Sequence, residues 1–195
     1  MIIMIKSKKD LNYYLLEDRK ANGLLPLQKG LRHFIKYRIK LIADKRIKFH
    51  TLLRKYEYFS NQRGIIPKIF ALYYYFQFKS LSYQLGFTIH KNCFGPGLCI
   101  KHYGAIVVNP HTKIGKNCTI HSGVNIGETN GEAPVIGDNV YIGPGAKLFG
   151  PIVIGNNAKI GANAVVNKSF PDEDLVIVGI PAIAKKNRKP NHDES

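Results

Sequence analysis

Acidic residues are scarce in this chain: 13 Asp and Glu stand against 29 Lys and Arg, a formal net charge of +16. The shortage is uneven. Residues 1–86 hold 18 basic and 5 acidic side chains, net +13, whereas residues 87–195 hold 11 and 8, net +3. So little negative charge in one half points to an anionic neighbour: a membrane surface, a nucleic acid, an acidic glycan or a phosphorylated carrier. The plain alternative is a solvated helical surface that aids solubility. The usual nucleic-acid motifs are missing, which sets nucleic acid aside. No uncharged apolar run is long enough to span a bilayer; the nearest, Ile65 to Phe87, is interrupted by Lys68, Gln77 and Lys79. The opening Met1-Ile2-Ile3-Met4-Ile5-Lys6 is too short for a signal peptide. Cysteine is also sparse. Cys93, Cys99 and Cys118 are odd in number and sit among packing residues, so they read as buried reduced thiols in a cytoplasmic protein rather than a disulfide framework.

What is present divides the chain by period. From about Leu11 to Leu85 the pattern is helical. Leu11, Leu15 and Leu16 share one face, and Asn22-Gly23 and Pro26 end that segment. A second basic amphipathic stretch is predicted from about Leu27 to Phe59. Asn61-Gln62-Arg63-Gly64 breaks it, and Pro67 opens a third helix to about Leu85. Tyr73-Tyr74-Tyr75-Phe76 and Phe78 on that helix read as packing residues.

After Gly86 an aliphatic or aromatic residue recurs every six positions: Phe94, Ile100, Ile106; Ile114, Ile120, Ile126; then Ile136, Ile142, Leu148, Ile154, Ile160 and Val166. Six fits neither an isolated helix nor an alternating strand. It fits a parallel β-helix, each hexapeptide giving one short strand and one corner, with the aliphatic side chains stacked inside. Two gaps interrupt the count, eight residues from Ile106 to Ile114 and ten from Ile126 to Ile136. The second, Gly127 to Pro134, predicts a loop extruded from the coil. The expected organisation is a basic helical domain over 1–86, a β-helix over 87–184 and a basic tail over 185–195.

Residues 100–109 (Ile-Lys-His-Tyr-Gly-Ala-Ile-Val-Val-Asn), 136–146 (Ile-Gly-Asp-Asn-Val-Tyr-Ile-Gly-Pro-Gly-Ala), 160–166 (Ile-Gly-Ala-Asn-Ala-Val-Val) and the ending Val178-Gly179-Ile180-Pro181-Ala182 carry a family likeness. Over about residues 65–187 the chain resembles the hexapeptide-repeat acyltransferases, and within them the serine acetyltransferase group and its relatives in polysaccharide gene clusters. The resemblance implies a left-handed β-helix behind a helical cap, a homotrimer with sites between subunits, and acetyl-CoA as co-substrate without a metal. It places the catalytic base at His102. From position alone, His102 is equally a corner histidine bonded to its neighbours. His121 one coil later, with Tyr103, Asn109 and Glu128, forms the expected acceptor set, Glu128 or a backbone carbonyl fixing the His102 tautomer. Gly143, Gly145, Ala146, Gly161 and Ala162 on successive corners leave room for the pantetheine arm, although such corners call for small residues in any case. Lys168, Lys185, Lys186 and Arg188 are placed to meet the CoA phosphates.

The chain departs from the serine-specific pattern at three places. Thr88 stands where that pattern has the Asp that orients the catalytic His, Lys101 where it has Asp before that His, and Ala133 where it has a second His before Pro134. These departures favour a sugar hydroxyl on a surface polysaccharide or its lipid-linked precursor, handled at the inner face of the membrane, with L-serine as the alternative acceptor and a non-catalytic trimeric scaffold as a third reading. A zinc hydratase of the same fold needs three His ligands with a close pair; His90, His102, His111 and His121 lack one.

Overall fold

The computed structural model describes residues 4–24, 39 and 43–186. Most of the first half of the predicted second helical stretch falls outside these residues, as does the end of the chain with Arg188. The helical part contains α1 (Lys8–Ala21), α2 (Lys45–Ser60) and α3 (Ile65–Leu85). Ser7 and Asp10 cap α1 reciprocally, the Ser7 hydroxyl accepting from the Asp10 amide and the Asp10 carboxylate from the Ser7 amide. Asp44 caps α2 by accepting from the Arg46 amide. α3 ends at Gly86, whose φ of +75° allows the left-handed turn into the coil.

Phe49 on α2 packs against Phe78 on α3, with ring centroids 5.2 Å apart, and against Phe87 of the first coil strand at 5.1 Å. Tyr74 and Phe78 pack as the sequence suggests, but Tyr73 and Phe76 do not: both are exposed. Apolar residues occupy every side of α3, and among the described residues one side of it packs against the rest of the fold.

Beyond Gly86 the chain winds through three faces of short parallel strands. The first face holds β1 (Phe87–Thr88), β3 (Ile106–Val108), β6 (Asn125–Gly127), β9 (Lys147–Phe149) and β12 (Val165–Val166). The second holds β4 (Lys113–Ile114), β7 (Val135–Ile136) and β10 (Val153–Ile154). The third holds β2 (Cys99–Ile100), β5 (Thr119–Ile120), β8 (Tyr141–Ile142), β11 (Lys159–Ile160) and β13 (Leu175–Val178), closed by β14 (Ile183–Lys186), which runs antiparallel to β13. Lys185 and Lys186 therefore belong to a strand, where the sequence suggested a tail.

The core is the column of stacked side chains that the period predicts. Ile100, Ile120, Ile142 and Ile160 are in register on the third face, and Val108, Ile126, Leu148 and Val166 on the first; all eight are fully buried. The three cysteines are buried and unbridged. Burial pushes the Cys93 thiol up to about 12 and raises that of Cys118 further, so both are inert packing groups.

The register relocates one irregularity. Because Val108, not Ile106, stacks on Ile126, the eight-residue interval runs from Ile100 to Val108. The two additional residues thus widen the corner that carries His102. The ten-residue interval is the extruded loop as expected. It folds on itself through paired backbone hydrogen bonds between Thr129 and Glu132, with Asn130 and Gly131 both at positive φ, as a tight two-residue hairpin turn requires.

Candidate functional site

Each passage from the third face to the first makes a corner, and these corners stack along one edge. From the capped end they are residues 101–106, 121–124, 143–146 and 161–164. Backbone hydrogen bonds join them: the Lys101 amide donates to Ile120, His121 to Ile142, Gly143 to Ile160 and Gly161 to Ile177. His102, His121, Gly143, Gly145, Gly161 and Ala162 therefore share a single edge.

At its top, the His102 and His121 rings lie 5.6 Å apart, and His121 meets Tyr141 edge-on at 5.1 Å. His102 and Tyr103 are exposed on the widened corner. His121 is half-buried, and its Nε2 is buried without a hydrogen-bond partner among the described residues. Burial lowers its pKa, with the adjacent His102 and Lys101 acting in the same direction, so His121 stays neutral to lower pH than an ordinary imidazole.

The remaining expected acceptor residues sit elsewhere. Asn109 and Glu128 occupy the next corner, at the far end of the first face. The Asn109 side chain accepts from the His111 amide at 2.8 Å. Glu128 binds His111, Oε2 lying 3.0 Å from Nδ1, so it is not the partner of His102 within one chain. The cause is the hexapeptide geometry: Asn109 directly follows β3, Gly127 ends the neighbouring β6, and the residues just past them, His111 and Glu128, meet on that corner.

Among the expected CoA residues, Ala146 is corrected. It is fully buried, its methyl filling the column beneath the corner. Ala162 is exposed. Gly143 and Gly161 have a structural reason to be glycine. A Cβ on Gly143 would stand 2.8 Å from the Ile160 carbonyl oxygen, and one on Gly161 2.8 Å from Val178 Cγ1. Lys168 follows β12 at another corner, with Nζ 5.6 Å from the Phe170 ring centroid. Lys185 and Lys186 lie exposed on β14, beside β13.

Two residues at the start of α2 reach this edge, and sequence reading passed over them. Arg46 Nη1 donates to the carbonyls of Ile100 and Lys101. Its Nε and Nη2 bind the Asp44 carboxylate at 3.1 and 2.7 Å. Asp44 Oδ1 also accepts from the Tyr103 hydroxyl at 3.4 Å, and the guanidinium lies 5.4 Å from the Tyr103 ring centroid. Partial burial opposes the charge on Asp44, but its bonds to Arg46 prevail and hold its pKa below the usual carboxylate range. The only signal in the sequence is an ordinary helix cap, Asp44-Lys45-Arg46.

Comparison with known proteins agrees with this architecture. Residues 133–168 match the family of bacterial transferase hexapeptide repeats (six repeats). The serine acetyltransferase of Mycobacterium tuberculosis (strain ATCC 25618 / H37Rv) is 40% identical over 101 residues, 49% of this chain and 44% of that protein. That of Staphylococcus aureus (strain Mu50 / ATCC 700699) is 45% identical over 101 residues, 49% of this chain and 47% of that protein. The matched segment thus spans less than half the length of these curated relatives. Among solved structures, Neisseria gonorrhoeae serine acetyltransferase superposes with a TM-score of 0.70 at 26% identity, covering 93% of this chain and 67% of that one. The soybean apoenzyme gives 0.70 at 24% identity, covering 91% and 70%. The coil is thus a left-handed parallel β-helix of transferase hexapeptide repeats behind a helical cap, and the chain resembles the serine acetyltransferase group of the hexapeptide-repeat acyltransferases.

Proposed function

We propose that the protein is an acetyl-CoA-dependent O-acetyltransferase in which His102 is the general base. The observation that carries this is the edge itself. An exposed imidazole on a widened corner stands above a run of small-residue corners suited to an extended pantetheine arm. Neutral His102 takes the proton of the acceptor hydroxyl as its oxygen attacks the thioester carbonyl. A C–O bond forms, the C–S bond breaks, and the proton passes from His102 to the departing CoA sulfur. Since the amides of Lys101, His121, Gly143 and Gly161 are engaged in the ladder, steadying the oxyanion falls to a backbone amide outside it. Lys185 and Lys186 are the basic groups of the same chain assigned to the CoA phosphates, and Lys168, at another corner, would reach them from an adjacent subunit.

L-Serine is the acceptor favoured by the relatives' names, and it takes the place of the sugar hydroxyl that the sequence suggested. The sugar reading retains one specific support. Thr88 is exposed, Lys101 puts a positive charge beside His102, and Ala133 closes the loop without an imidazole. None of the three offers the carboxylates and second His of the serine-specific pattern. A homotrimer is part of the proposal. His102 and the His111–Glu128 pair stand at opposite ends of one face, which an adjacent subunit would let meet. Thiol release from acetyl-CoA, with L-serine set against sugars and lipid-linked glycans, tests the reading. Turnover that falls about 10²- to 10⁴-fold in His102→Ala is expected. Full turnover in that variant, or no acetyl-CoA binding by calorimetry, sinks it.

A further inference from the structure

The corner that carries His102 is two residues longer than the corners stacked below it, and the coil ladder alone does not fix it. Two helix ends hold it instead. On one side, the C-terminal end of α3 meets the corner, the Gly104 amide donating to the Leu85 carbonyl and the Ile106 amide to that of Gly86. On the other, the first turn of α2 reaches in through Arg46 and Asp44.

We infer that Asp44 and Arg46 are positioning residues for His102, acting through the peptide group that joins it to Lys101. This rests on His102 being the base. The Lys101 carbonyl and the His102 amide form one planar unit that includes the His102 Cα, so fixing the carbonyl oxygen restrains the plane from which the His102 side chain departs. Arg46 Nη1 holds that oxygen and the Ile100 oxygen together. Its Nε and Nη2 each donate to the Asp44 carboxylate. Asp44 in turn is fixed as the α2 cap and engages the Tyr103 hydroxyl, so residues on both sides of His102 are tied to one ion pair. A lysine has a single nitrogen and cannot bridge two carbonyls while keeping a bidentate bond to Asp44. The helical cap therefore does more than cover the end of the coil; it sets the aim of the base.

The test compares Arg46→Ala, Arg46→Lys, Asp44→Asn and His102→Ala in steady-state acetyl transfer. Positional loosening near an ångström is worth about 10- to 100-fold in rate. Arg46→Ala should lose that much kcat while KM for acetyl-CoA, whose groove lies on lower corners, stays within about twofold. Arg46→Lys should not restore it. Ethylguanidinium, at millimolar levels in the space Arg46 leaves at the surface, should recover activity in Arg46→Ala and none in His102→Ala. Asp44→Asn keeps a good helix cap but breaks the ion pair. It should show a smaller kcat loss with the same unchanged KM, and it carries the test if Arg46→Ala fails to fold. Wild-type kcat in both the Arg46 and Asp44 variants, with His102→Ala dead, overturns the positioning role alone. An active His102→Ala overturns the assignment of the base, and the inference falls with it.

Discussion

Arg54 is the least ordinary residue of the cap, a guanidinium with no exposure to solvent. It binds both oxygens of Asp18, at 2.8 and 3.2 Å, and Glu57 at 3.0 Å, and it donates to the carbonyls of Phe94 and Gly95 in the first coil. Asp18 also accepts from the Gly97 and Leu98 amides, and Glu57 from that of Asn92. Three buried charges thus stitch α1 and α2 to the start of the β-helix. Burial alone would raise the Asp18 pKa. The Arg54 charge and hydrogen bonds, with the His50 ring nitrogen 3.8 Å away, outweigh it and bring it down to about 2. A carboxylate depressed in the folded state contributes stability that is complete above its unfolded pKa and lost as pH falls through the folded one. Asp18→Asn should therefore cost about 3 kcal/mol in urea unfolding near neutrality, where it leaves Arg54 short of an anion. The gap from wild type should narrow as pH drops from 4 towards 2, and a gap constant with pH would remove the charge from the explanation. Glu57, raised by burial despite Arg54, has the opposite sense: its contribution is largest in acid and declines as pH rises.

At the scale of the coil, corners decide more than strands. Asn117, Asn139 and Asn157 all adopt positive φ, between +55° and +59°, and their side chains form a ladder, Asn117 donating to Asn139 at 2.9 Å and Asn139 to Asn157 at 3.0 Å. Asn tolerates the left-handed region that other residues with a Cβ resist by roughly 1–2 kcal/mol. Asn139→Ala loses two ladder bonds and strains the turn, whereas Asn139→Gly loses the bonds and relaxes the backbone. By thermal unfolding, the Ala variant should be less stable than the Gly variant by about 1 kcal/mol, although Ala elsewhere is the more stabilising choice. Equal stabilities would mean that the ladder, not the backbone, makes Asn necessary. This column was open to sequence reading in Ile114-Gly115-Lys116-Asn117, Ile136-Gly137-Asp138-Asn139 and Ile154-Gly155-Asn156-Asn157. So was the aliphatic core, because a strict period demands stacking. Register was less open. Ile106 and Val108 are both buried, and only their neighbours in space tell that Val108 continues the column and that the surplus lies at His102. The contacts of Asp44 and Arg46 were not legible at all, since they span 54 to 59 positions and follow from how the cap docks.

For the whole molecule the open matter is what meets α3. Ile65, Ile66, Ile69, Phe70, Leu72, Tyr73, Phe76 and Tyr83 are all at least 45% exposed, and helical spacing puts them on one side, opposite buried Phe78, Leu81 and Leu85. The only charged residues on α3 are Lys68 and Lys79, with Arg63 just before it. A helix with an exposed apolar side edged by cations, in a segment of net charge +13, has the character of an element that lies in the headgroup region of an anionic bilayer. No helix among the described residues is long and apolar enough to cross one. We propose, as an expectation that vesicle binding decides, that this face rests on the surface of an anionic membrane. Co-sedimentation with phosphatidylglycerol vesicles should capture wild type at low salt. Capture should fall with ionic strength, since each juxtamembrane cation adds about 1 kcal/mol, and should fail with phosphatidylcholine alone. Ile69→Glu with Phe76→Glu should abolish it while leaving the mass in solution unchanged by light scattering, because the membrane, not another subunit, would cover that face. If the double variant instead breaks the oligomer and the wild type ignores both vesicles, the face is a contact between copies of this chain, and the membrane assignment is overturned.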